Sequence, residues 1–339
     1  MSVDLQRVRS KSRQYLFLAV VSTVAGCGTG GAQPNSPMGQ PVQVNQEAHS
    51  GSGNFHSIEV AGSAVTNAFG ISPGGDVVGN YRKTGEPSTQ AHGFLLSGCQ
   101  YTTVDVPGAL LTFANGINDQ GDIVGRYDIV ANVGHGFLLS QGNLTTFDPP
   151  GATFTAALDI NSRGDIVGRY LVGNAEHGFL LSGGQFTTID VPGATGTEAD
   201  SISPSGDIAG RFVDAAGLAH GYLLSGGEFT TIDHPDAIKV PPPPPQPAGA
   251  PFGTVANGTN ARGDVVGRDD VAGVGTAPPV GHGFLLSGGQ FTPIDYPDAT
   301  FTAATRTNPS GDVTGRYKRG SDGKMLGFLL TSKSTCFDQ

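Results

Sequence analysis

Four charged residues stand out because the chain around them repeats and they do not: Asp159, Glu198, Asp200 and Arg306. In the corresponding segments of other copies, the place is taken by Asn115 or Asn257. Three carboxylates converging on one opening would bind a cation, or a saccharide through hydrogen bonds. They would also admit a general acid/base pair, provided burial raises one of the two pKa values. The competing explanation is drift at solvent-facing positions. No His-Glu-x-x-His, phosphate loop or Cys-x-x-Cys occurs. No residue is therefore assigned a catalytic role, and no cofactor or metal is expected.

Two further columns recur too regularly to be a site. His92, His135, His177, His220 and His282 share one register, as do Arg126, Arg169, Arg211, Arg268 and Arg316. Copies spread around a wide ring cannot place ligands about 2 Å from one zinc ion. Each His is instead expected to bond within its own repeat, to a backbone group or a carboxylate. The Arg column is expected to pair with the recurrent Asp105, Asp148, Asp190, Asp233 and Asp295, a structural role.

These residues are carried by a repeat that runs from residue 55 to the end. One copy reads Ala157-Leu-Asp-Ile-Asn161, Gly164-Asp-Ile-Val-Gly-Arg-Tyr170, His177-Gly-Phe-Leu-Leu181 and Phe186-Thr-Thr-Ile-Asp190. Its Gly-Asp pair returns with Asp at 76, 122, 165, 207, 264 and 312. The period is 42 to 46 residues outside the insertions of the fifth copy. A period in the forties made of short β-rich pieces is the mark of a propeller blade.

Each copy divides into four strands, A to D. Asn118-Asp-Gln-Gly121 turns A into B, and Ser182-Gly-Gly184 turns C into D, with Gly where positive φ is needed. The fold expected is all-β, a six-bladed β-propeller of repeats about 43 residues long, with seven blades the alternative count. Strand D occurs once too often if both Phe55-His-Ser-Ile-Glu59 and Thr335-Cys-Phe-Asp338 are counted. A surplus strand suits ring closure, with the N-terminal piece completing the last blade. Cys99 and Cys336 fall in the first and last blades, neighbours in a closed ring. They either pair across the seam or stay two buried thiols.

Composition agrees with this architecture. The 339 residues include 53 Gly and 23 Pro, with no Trp and 14% charged residues, so a mainly helical fold is excluded. A net charge of −10 argues against nucleic acid as a partner.

At the N-terminus, Arg7, Arg9, Lys11 and Arg13 precede a short apolar run and then Val24-Ala25-Gly26-Cys27. The run is too short to span a bilayer, which takes about 20 residues. The last four residues resemble the bacterial lipobox, which implies export and lipidation of Cys27. Gly28 follows, where an acidic residue would mark inner-membrane retention, so the resemblance implies the outer membrane or cell surface. Residues 1–26 are thus expected to be a lipoprotein signal peptide. Cleavage removes four basic residues and one acidic one, taking the net charge from −10 to −13. Residues 27–54, rich in Gly, Pro, Gln, Asn and Ser, read as the lipidated Cys and a flexible tether.

The repeat itself, with Ile-Asn-x-x-Gly-Asp-Ile-Val-Gly, His/Leu-Gly-Phe-Leu-Leu and Phe-Thr-Thr-Ile-Asp, resembles the bacterial extracellular repeats called the HAF family. The resemblance covers residues 55–339. The chain departs from the name-giving motif at Gly93, Gly136, Gly178, Gly221 and Gly283, where the family has Ala. It implies export and a propeller-like form, and no settled activity.

Individuality is where a function is expected. The fifth blade carries two insertions, 238–252 with the proline run 241–245, and 269–281. Both fall on connections that leave one face of the ring, and long loops on a rigid scaffold commonly recognise something. The first expectation is a lipid-anchored envelope protein acting as a non-catalytic binding module for a surface protein or glycan. The alternative is an extracellular propeller hydrolase or lyase with an acidic site at the channel mouth.

Overall fold

Every segment with alternating β-branched and aromatic residues forms a strand, and every Gly-containing tetrapeptide between them turns the chain back. In a computed structural model that describes residues 46–47, 53–240, 252–272, 279–333 and 335, those residues hold strands and no helix. They belong to the compact unit Ser36–Gln339. The signal segment, Cys27, the proline run 241–245 and Cys336 lie outside the described residues.

Blade 1 comprises Ser63–Ile71, Val77–Lys83, His92–Ser97 and Gln100–Val104, each antiparallel to the next. Blades 2 to 5 repeat the pattern. Blade 6 takes three strands from the C-terminal part, Ala299–Thr307, Val313–Arg319 and Met325–Thr331. Its fourth is Asn54–Ile58, antiparallel to the third from Asn54↔Thr331 to Ile58↔Gly327. The N-terminal strand thus closes a ring of six blades. Gln46–Glu47, within the stretch read as a tether, pair along its outer side. Parallel bridges run from the third strand of one blade to the first of the next, at Glu176↔Gly196 and, across the seam, Met325↔Val65.

A single blade cannot bury both faces of its sheet, so the core lies between blades. Phe94, Phe137, Phe179, Tyr222, Phe284 and Phe328, one per blade, are all within 1% of full burial. Each cluster mixes two neighbours: Val78 of blade 1 packs with Ala114 and Phe137 of blade 2. The aromatic ring lies over a glycine of its own second strand. A Cβ on Gly168 would stand 2.1 Å from the Ala156 carbonyl oxygen and 2.8 Å from Phe179, and the same approach recurs at Gly125 and Gly315. Gly168→Ala is therefore expected to cost at least ~3 kcal/mol, the upper end for overpacking, because the first obstacle is backbone. Thermal unfolding checks it; a midpoint unchanged from wild type would contradict this packing.

The polar columns resolve differently from expectation in one respect. Each recurrent His bonds within its blade, as anticipated, through Nδ1 to the strand-D Asp, for example His135 to Asp148 at 2.7 Å and His282 to Asp295 at 2.9 Å. The expected Arg–Asp pairs therefore do not form. Strands B and D are separated by strand C, and the Asp is taken by the nearer His. The turn Asp residues stabilise their hairpins: Asp165 accepts from Asn161 and from Ser182 of the C–D turn. Cys99, in the tight turn ending the third strand of blade 1, is disulfide-bonded; Cys27 and Cys336 are outside the described residues.

Candidate functional site

Each recurrent Arg precedes the residue opposite the His position of strand C, so alternation puts it on the opposite face of the sheet from the His–Asp pair. Arg126, Arg169, Arg211, Arg268 and Arg316 all line one cavity of about 900 Å³ on the ring axis. Each stands on a second strand opposite a residue of the first strand, and that opposite residue varies between blades. The cross-strand pairs are Phe113↔Arg126, Ala156↔Arg169, Glu198↔Arg211, Val255↔Arg268 and Ala303↔Arg316. Blade 1 has Asn67↔Asn80 instead. Phenylalanines at the starts of first strands seat the guanidinium groups. Arg126 lies 4.4 Å from the Phe113 ring centre and 5.1 Å from that of Phe154, and Arg268 lies 5.8 Å from that of Phe301.

The cavity opens on the face of the B–C and D–A connections, since Asn174 and Gly217 of B–C turns and Thr195 of a D–A turn line it. Both blade-5 insertions leave this face. Their described ends hold together there: Ile238 donates to the Asp270 carbonyl at 2.8 Å, and Ala219 to that of Phe252 at 2.8 Å.

Charge is distributed unevenly around the wall. On blades 3 and 4, Glu198 accepts two bonds from Arg211, at 2.9 and 2.7 Å, and lies 3.2 Å from Arg169. Glu176 bridges the same two arginines, 2.5 Å from Arg169 and 3.5 Å from Arg211. Burial pushes Glu198 up, but the Arg211 and Arg169 charges outweigh it and hold the carboxyl down at about 2. Burial and the neighbouring Glu198 charge raise Glu176. Asp200, deeper on the same strand, is pushed up to about 8 by burial and then by Glu198, and its Oδ2 is buried without a hydrogen-bond partner.

On blades 5 and 6 the arginines are less well matched. Arg268 has Asp270 at 3.3 Å. Arg316 has no carboxylate within ion-pair distance among the described residues, and its Nε is buried without a partner. Burial and then the Arg268 charge lower its pKa to about 10. Its guanidinium lies 5.9 Å from the centre of the Phe69 ring.

The four sequence-predicted residues separate into two levels. Glu198 and Asp200 line the cavity. Asp159 does not line the cavity: its carboxylate is held at the inner end by side-chain and main-chain donors. Its Oδ2 accepts from Ser201 Oγ at 2.8 Å and Ile202 N at 3.0 Å, and its Oδ1 from Ile160 N at 3.0 Å. Arg306 meets it there at 3.2 Å and donates across the axis to the carbonyl oxygens of Leu158, Asp200 and Asn257. Asp159 and Arg306 therefore form a floor, with Arg306 among the residues that line the cavity. Gly70, Gly116 and Gly258 complete this level, each packed so that an added Cβ would stand 2.7–2.8 Å from a neighbouring blade.

Two functional features were missed by sequence reasoning. The arginine column was seen but given the wrong partner. Glu176 was overlooked, although the residue before the recurrent His is Ala91, Gly134, Ala219 or Gly281 elsewhere and an acid only in blade 3. Among the described residues, no three His, Cys, Asp or Glu side chains are grouped to hold a metal ion.

No family profile matches the chain, nor does any curated protein. Solved structures do. The chain is similar to AofleA from Arthrobotrys oligospora, at 14% identity and a TM-score of 0.49 over 80% of this chain and 86% of that one. It is likewise similar to a gluconolactonase from Xanthomonas campestris, at 11% and 0.48 over 88% and 98%. TolB from Acinetobacter baumannii matches at 10% and 0.46 over 80% of this chain. The chain spans 55% of TolB's length. These likenesses bear on the propeller fold alone.

Proposed function

We propose that this chain is an exported binding module of the HAF-repeat type, held in the bacterial envelope by lipid on Cys27, whose propeller captures a surface ligand in its axial cavity. The observation that carries the reading is the cavity itself: about 900 Å³, open on one face, floored by Arg306 and walled by fixed arginines and aromatic rings. A pocket of ~300–1,000 Å³ with a few convergent polar groups is the usual form of a ligand site. The lipobox-like Val24-Ala25-Gly26-Cys27 supports the anchor.

Gly196 offers a clean test. It lines the mouth at the position where blades 3 and 6 carry Phe154 and Phe301, and a Cβ there meets nothing closer than 3.4 Å. Gly196→Phe is expected to fill the mouth, its ring displacing the Glu176 side chain. Glu176 stands where Gly134 and Gly281 make room for Phe154 and Phe301. The thermal midpoint of the variant checks that it folds. Wild-type chain incubated with a glycan array and with envelope extract should retain a ligand that Gly196→Phe loses by about tenfold or more. In cells, Cys27→Ser should move the protein from the membrane pellet to the soluble fraction. Equal retention by both chains would count against the cavity, and an unchanged pellet against the anchor.

A second reading has one observation in its favour. Asp200 and Glu198, two carboxyls with pKa values about 8 and about 2, are split as a general acid and base would be. A hydrolase or lyase follows if turnover of an envelope polymer is detected and is abolished in Asp200→Asn.

A further inference from the structure

We infer that the cavity is a subsite for an acidic saccharide, whose carboxylate docks on Arg316 and Arg268 of blades 5 and 6 while its ring hydroxyls face the Glu198–Glu176 wall. The inference rests on the binding-module reading and names the ligand class that reading leaves open.

Blade 4 shows what a satisfied arginine looks like in this fold, with Glu198 opposite Arg211 and two hydrogen bonds closing the pair. Blade 6 repeats the geometry and lacks the acid: Arg316 faces Ala303, whose side chain stops at Cβ. A guanidinium carries five donors and holds its charge across the physiological range. Here it lies in a cavity with Nε buried and unbonded, beside a second cation. Burying such a group without a partner is costly, and a bidentate carboxylate is the partner its fork fits. The other carboxylates nearby are committed: Asp270 to Arg268, Asp159 to the floor, and Glu176 and Glu198 to Arg169 and Arg211. The chain as a whole carries −10, so this cationic wall is not a consequence of overall composition.

The rest of the lining selects the kind of anion. Phe69 and Phe113 present apolar surface suited to the face of a sugar ring. Asn115 and Asn257, whose amide nitrogens donate to the Ala157 and Ala304 carbonyls, offer their amide oxygens as acceptors for hydroxyl groups. Across the cavity the two glutamates offer carboxylate oxygens for the same purpose. A small inorganic anion would use the arginines and leave the remaining surface uncovered. A hexuronate oligomer uses both.

The test is calorimetric titration of the full chain with trigalacturonate, with its methyl ester as the neutral isostere, with inorganic phosphate and with a hexaglutamate peptide. Trigalacturonate should bind about tenfold or more tightly than its ester, the range expected for a charge-assisted bidentate contact, and binding should weaken with salt. Arg316→Gln should erase that preference, bringing trigalacturonate down to the affinity of its ester. Ala303→Glu should do the same by supplying the acid that blade 4 already has, and it should raise the thermal midpoint. A purely structural Arg316 would show the raised midpoint with trigalacturonate affinity intact, which overturns the inference. So would equal affinity for acid and ester, tighter binding of hexaglutamate, or binding of phosphate alone. The array and envelope-extract experiment judges the binding-module reading separately, because it does not depend on the charge of the probe.

Discussion

Replacing Arg306 by Ala is expected to lower the free energy of unfolding by about 3–5 kcal/mol, the cost of removing one partner of a buried ion pair. The side chain is about nine-tenths buried and so is Asp159, its carboxylate partner at 3.2 Å. The same guanidinium donates to main-chain oxygens on blades 3, 4 and 5 and so ties four blades together at the axis. Truncation would leave a buried charge on Asp159 and three carbonyls facing an empty channel. Propellers close by packing between neighbouring blades, and this is a contact between blades that are not neighbours. Urea titration at neutral pH provides the measurement, with Asp159→Asn and the double variant completing a cycle. The double variant should cost less than the two single changes added together, because Asp159→Asn removes the charge that Arg306→Ala strands. Additive effects would show that the floor is a set of independent contacts.

A second large effect should appear in the pH dependence of stability. Asp200 is pushed up to about 8 in the folded chain, by burial first and then by the ionised Glu198. Unfolded, it returns to the ordinary carboxylate range near pH 4. The folded state therefore holds a proton that the unfolded state has already lost, and stability falls as pH rises from about 4 to about 8. The direction is opposite to that of a salt-bridged carboxylate such as Glu198, held down at about 2, which contributes stability that is lost only in strong acid. Asp200→Asn keeps the shape of the neutral carboxyl and removes the ionisation. It should leave stability at pH 5 close to wild type and raise it by several kcal/mol at pH 9. Curves that remain parallel from pH 5 to pH 9 would mean that Asp200 is solvated and ionised in the folded protein.

These two residues show what asymmetry does in a repeated scaffold. The first-strand position after the bulge is Gly70, Gly116 and Gly258 in three blades, and Asp159, Ser201 and Arg306 in the others. Three blades yield space at the axis and three fill it. The arginine column works in the opposite sense, with the cation nearly constant and the counter-charge varied. Blade 4 neutralises its arginine, blades 2 and 5 use an Asp two residues along, and blade 6 supplies nothing.

Much of the scaffold was legible in the chain. The period, the Gly-containing turns and the alternation within strands determine four-stranded blades, because hairpin geometry and side-chain alternation are local properties. Ring closure by Phe55-His-Ser-Ile-Glu59 was legible too, since a strand without its own blade must pair somewhere. That each His bonds within its own blade was legible as well, but its partner was not: from the sequence alone the strand-D Asp goes to the Arg column. The site was not legible to the same degree. Residues of the floor lie as much as 148 positions apart, and only the meeting of six first strands on one axis brings them together. Sequence identified Asp159, Glu198, Asp200 and Arg306 as exceptions to the repeat. It could not say that Glu198 and Asp200 stand in the cavity wall while Asp159 and Arg306 meet at its floor, because that follows from how the blades assemble around the axis. It could not turn the arginines inward either. Alternation puts the Arg column on the face opposite the His–Asp pairs, and only the assembly of the blades around the axis makes that face the wall of a cavity.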